Sequence, residues 1–82
     1  MADVPATDES LQKKIEALVQ EEQHLYGHET LVDHDRVRLE DIRVQLDQCW
    51  DLLRQRRARR DAGQDPNDAK VRPASVVEGY TQ

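Results

Sequence analysis

Phenylalanine is absent from this chain of 82 residues, and the aromatic material amounts to one tryptophan and two tyrosines. Any hydrophobic core must therefore be assembled mainly from Leu, Ile and Val. Cysteine occurs once, at Cys49, which excludes a disulfide within the chain and removes the Cys/His spacing of a zinc site. With only three glycines and three prolines there is no glycine-rich phosphate loop and no low-complexity linker. No apolar run approaches the roughly 20 residues that a membrane-spanning helix needs, so no membrane partner is expected. The start, MADVPATDES, has neither a basic stretch nor an apolar one. Together with the lone thiol it sets the expectation of a cytoplasmic protein.

What the chain has in abundance is charge. Asp, Glu, Lys and Arg make up 35% of it, against an ordinary share of about 25%. The charge is also segregated: residues 1–51 sum to −8 and residues 52–82 to +3. Such a dipolar layout favours pairing, between halves or between copies, in antiparallel fashion. Net acidity argues against general nucleic-acid binding, although a local basic end escapes that objection.

Two amphipathic stretches organise the sequence. Leu11, Ile15, Leu18 and Leu25, widened by Val19 and Tyr26, recur at helical spacing, with Glu22 the odd member on the seam. Thr7 or Asp8 is the expected N-cap and Gly27 the expected left-handed stop. A second helix is expected from Thr30 or Asp33, both competent caps, to Gly63. Its apolar seam reads Leu39, Ile42, Leu46, Cys49 and Leu53, with Trp50 on the flank.

The turn between the helices is short, so the two must fold back as an antiparallel helical hairpin. By length, helix 1 covers helix 2 to somewhere near Leu53, which leaves the arginine-rich end overhanging. The predicted organisation is a flexible N-terminal arm over 1–7, the hairpin over 8–63 and an extended C-terminal tail over 64–82. Val71, Val76, Val77 and Tyr80 of that tail are available to lie in a groove. A chain this small buries a limited core, and two hairpins dimerising into a four-helix bundle is the economical remedy. The fold class is thus all-α, with a likeness to coiled coils in its seam and a homodimer as the expected state. Leu39, Ile42, Leu46, Cys49, Trp50 and Leu53 are the predicted self-association residues.

Several groups invite a chemical reading. Arg54, Arg56, Arg57, Arg59 and Arg60 crowd seven positions and would suit phosphate oxygens, on nucleic acid or another polyanion. No aromatic residue interleaves them for base stacking. Cations at a helix C-terminus that pair with Asp8, Glu9 and Glu16 of a neighbouring hairpin are the more ordinary outcome. Glu21 and His24 have the Glu-x-x-His spacing of di-iron bundles, but His24 points off the seam, and no metal or other cofactor is expected. Cys49 on the apolar seam reads as a small buried hydrophobe, not a nucleophile. No triad-like grouping is present, and catalytic residues are expected to be none.

The block LDQCWDLLRQRRARRDAGQDPNDAKVRPASVVEGY, residues 46–80, resembles the hallmark region of a family of small actinobacterial proteins catalogued as a domain of unknown function (2630). Helix 1 matches in pattern only, Leu-x-x-x-Ile followed by Glu-Glu-x-His-Leu. The resemblance implies a helical fold and a cytoplasmic actinobacterial origin, and carries no activity, cofactor or catalytic residue. Small all-helical chorismate mutases offer an enzymatic comparison, with a long amphipathic first helix and helix-borne arginines. Their fold implies a third helix and a polar pocket. Here a tail with Pro73 and Gly79 stands in that place, and helix 1 offers only Lys13 and Lys14. The expectation is a non-enzymatic interaction module, with an unidentified protein partner or a polyanion as further possibilities.

Overall fold

The computed structural model describes residues 7–78, so most of the expected arm over 1–7, and Tyr80 of the tail, lie outside the described residues. Two long helices dominate: α1, Asp8–Tyr26, and α2, Asp33–Asp61. A 3-10 turn at Pro66–Asp68 and a single helical turn, α3, at Ala74–Val77 follow. No strand occurs among the described residues. Glu21 pairs with Arg38 near the turn, while Asp8 pairs with Arg56 at the far end. These two ties establish α1 and α2 as an antiparallel hairpin.

The helix ends follow from local chemistry. Thr7 caps α1: its Oγ1 accepts from the Ser10 amide at 3.0 Å while the Ser10 Oγ accepts from the Thr7 amide at 2.9 Å. Two of the otherwise unsatisfied first-turn donors are met in this way. Gly63 ends α2 as expected, at φ 73, with its own amide on the Arg60 carbonyl and the Gln64 amide on the Arg59 carbonyl. Only a residue without Cβ takes that conformation cheaply.

Two expected caps take a different form. Gly27 is not left-handed: it sits at φ −75, and the chain leaves α1 through one more right-handed turn, with the His28 amide on the Leu25 carbonyl. The N-cap of α2 is Val32, not Thr30 or Asp33. The valine side chain offers no acceptor, so the cap is held from the other side, by Asp35 Oδ2 receiving the Val32 amide at 3.3 Å.

Leu11, Ile15, Leu18 and Leu25 of α1 meet Ile42, Cys49 and Leu52 of α2 in the buried core. Leu39, Leu46 and Leu53 are only partly buried against it. The buried line on α2 thus runs Ile42, Cys49, Leu52, Arg56, not to Leu53. Ile42, Cys49 and Arg56 recur seven apart, as do Leu39, Leu46 and Leu53, so the two halves of the expected seam form neighbouring stripes, one turned to α1 and the other beside it.

The tail returns along α2, antiparallel to it. Gln55 Nε2 donates to the Lys70 carbonyl at 2.7 Å, Gln48 Nε2 to the Arg72 carbonyl at 3.2 Å, and Arg43 Nη1 reaches Glu78 at 3.0 Å. Extended backbone is interrupted by the 3-10 turn and α3. Of the valines expected to lie down, Val77 is buried, whereas Val71 and Val76 are exposed. Residues at i, i+3 and i+7 of α2, namely Gln48, Asp51 and Gln55, thereby face the tail, while the Ile42 line faces α1.

Candidate functional site: the arginine end and the open face of the hairpin

The arginine end is more closely held than its sequence implied. Arg56 is buried, at 7% exposure. Its Nε donates to Asp8 Oδ1 at 2.6 Å and its Nη1 to the Asn67 side chain at 2.9 Å and the Pro66 carbonyl at 3.3 Å. Arg60 takes the other Asp8 oxygen at 2.8 Å. Hydrogen bonds from Arg56, then Arg60, hold the Asp8 carboxyl below its usual range. The expected overhang is therefore shorter than a length count gave, because the first residue of α1 reaches Arg56 and Arg60. The Asp8 pairing foreseen between hairpins occurs within one. Arg59 Nη1 donates to Gln64 at 3.3 Å, while Arg54 and Arg57 are exposed.

The six expected association residues divide. Ile42, at 0% exposure, and Cys49 are spent inside the hairpin. Leu39, Leu46 and Leu53 recur seven apart and are only partly covered, and Trp50 between them is 49% exposed. On α1, partly buried Val19 and Glu22 border the same side. This face lies on the other side of the α1–α2 contact from Glu21–Arg38, and the tail borders it where Glu78 reaches Arg43, seven residues before Trp50. It is an open apolar groove flank carrying the chain's sole tryptophan.

On the opposite flank, α1, α2 and the tail enclose a cavity of about 270 Å³, lined by Leu11, Cys49, Leu52, Val71 and the Lys14 side chain among others. Burial pushes the Cys49 thiol up, offset in part by the Lys14 charge, so the sulfur is held as a thiol. Glu21 of the Glu-x-x-His pair receives Arg38 Nε at 2.5 Å and Nη2 at 2.7 Å. His24 instead packs edge-on against His28 at 5.3 Å, and His28 Nδ1 lies 3.2 Å from Asp35. Among the described residues no three His, Cys, Asp or Glu side chains are grouped to hold a metal ion. None of the helices described is long and apolar enough to cross a membrane.

Three features were not foreseen from sequence: the buried Arg56, the buried Leu52 and the glutamines that hold the tail. Only Arg56 left a trace, as the residue that continues the seam where apolar side chains run out.

By fold and surface this is a small all-α protein, a helical hairpin with a tail bound along its second helix. The chain belongs to the family described as proteins of unknown function DUF2630, which matches residues 7–82. It is 62% identical over 47 residues to the uncharacterized protein Rv0898c of Mycobacterium tuberculosis, and equally to the uncharacterized protein Mb0922c of Mycobacterium bovis. Each match covers 57% of this chain and 54% of the relative, so it spans about half the length of those relatives. No solved structure matches.

Proposed function

We propose that the protein is a self-associating helical module that acts through binding and carries no catalytic activity. The supporting observation is the face formed by Leu39, Leu46, Trp50 and Leu53, which neither α1 nor the tail covers fully. A half-exposed tryptophan amid leucines, flanked by charge, has the composition of an interface centre. The fold also spends its grouped polar side chains on joining its own elements, as at Asp8, Arg56 and Asn67.

Binding of a polyanion through the arginine end is the second reading, favoured by the outward placement of Arg54 and Arg57. It has less to draw on once Arg56 and Arg60 are engaged with Asp8.

Light scattering coupled to size exclusion, at low and moderate salt, tests the first reading directly. A salt-resistant dimer supports self-association, and a monomer at high concentration overturns it. Fluorescence anisotropy with labelled RNA tests the second, since phosphate recognition must weaken steeply with salt.

A further inference from the structure

We propose that two copies pack antiparallel across the open face, about a two-fold axis near Leu46, and that Arg57 of each copy pairs with Glu22 of the other. This rests on the self-association proposed above and specifies its geometry.

Glu22 is the one charged residue on the apolar seam of α1. It is partly buried and makes no hydrogen bond or ion pair with the described residues, and neither does exposed Arg57. A carboxylate at an apolar rim that gains nothing from its own chain calls for an external cation. Arg57 lies on the same face, four residues on from Leu53 and seven from Trp50.

The levels match. Glu21 is tied to Arg38, which sets Glu22 beside Leu39 at the turn end of the hairpin. With an axis at Leu46, Leu39 of one copy meets Leu53 of the other and Leu46 meets itself. Helical side chains lean toward the N-terminus, so the Arg57 guanidinium reaches back about one turn to the level of Leu53. That is the level at which the other copy presents Leu39 and Glu22. The parallel alternative would place both arginine ends side by side and leave both Glu22 carboxylates without a cation. Charge selects the antiparallel arrangement more by penalising the wrong one than by its own strength.

Charge reversal tests the pairing. Arg57→Glu or Glu22→Arg alone should weaken dimerisation by roughly tenfold or more, and the double exchange should restore it to within about threefold of the parent. Helicity should hold in all three, because neither side chain belongs to the hairpin core. For register, Leu39→Cys and Leu53→Cys chains in a Cys49→Ala background are mixed and oxidised. The antiparallel dimer yields only the mixed cross-link. A dimeric protein whose double exchange fails to recover, or which forms 39–39 and 53–53 cross-links, overturns the pairing while leaving self-association intact. A monomeric parent removes both.

Discussion

Arg56 Nε lies 2.6 Å from Asp8 Oδ1, although 48 residues separate the two in the chain. The same guanidinium reaches Asn67, so one buried side chain joins the start of α1, the end of α2 and the turn that begins the tail. Hydrogen bonds to charged groups in partly dry surroundings contribute more than neutral ones.

Arg56→Ala should therefore cost about 2 kcal/mol, through three lost bonds and a vacated buried site. Arg60→Ala, at a half-exposed ion pair, should cost less than about 1 kcal/mol. Urea titration followed by far-ultraviolet circular dichroism measures both. Equal losses for the two variants would refute the special place given to Arg56.

Acid should weaken the fold. The carboxyls of Asp8 and Asp35, ordinarily at 3.8, and of Glu21 and Glu40, ordinarily at 4.5, are all held lower in the folded state. The causes are Arg56, His28, Arg38 and Arg43 respectively. A depressed folded value adds stability that is complete above the unfolded value and lost as pH falls through the folded one. Urea midpoints should thus change little on this account just above pH 4.5 and drop toward about pH 3. A midpoint unchanged on acidification would show these pairs to be energetically idle.

The α1 face and the open face of α2 should respond differently to truncation. Ile42→Ala leaves a cavity at the most buried side chain and should cost about 3 kcal/mol, with helicity lost at any protein concentration. Trp50→Ala should leave the hairpin helical but weaken the proposed self-association, whereas Leu46→Asp, half in each face, should lower both. Tryptophan emission should also shift to the blue as the parent protein is concentrated. An emission maximum independent of concentration across the dimerisation range would count against Trp50 at the interface.

Cys49, at 4% exposure and with its thiol held protonated, should react slowly. Alkylation by iodoacetamide is expected to be at least about tenfold slower in buffer than in urea, since it must await opening of the hairpin. Comparable rates would mean that the seam is open to solvent.

Much of this architecture was legible along the chain because helix ends are set locally. Thr7 with Ser10, and Gly63 with the two amides around it, act within a few residues of one another, and apolar spacing identified the faces of α1. The caps expected at Gly27 and at Thr30 or Asp33 differ from those observed because more than one local solution starts or ends a helix. At Val32 the alternative is held by the Asp35 carboxylate. The site was half legible. Leu39, Leu46, Trp50 and Leu53 do flank an open face, but Ile42 and Cys49 could be assigned to the inner side only once the side of α2 that meets α1 was known. The course of the tail left little apolar pattern: Val77 is buried, but glutamine amides on the backbone carbonyls of Lys70 and Arg72 hold the stretch before it. The burial of Arg56 depends on Asp8 and Asn67, which arrive from opposite ends of the chain.

Because α2 has α1 on one side and the returning tail on another, few of its positions can be rewritten without disturbing a neighbour. The outer side of α1, with Gln12, Glu16, Gln20 and Gln23 exposed, carries no such obligation. A dye or an affinity handle attached at Gln20 would ride on the molecule as a passenger, while a scan of sequence variants should find tolerance concentrated on that side of the first helix.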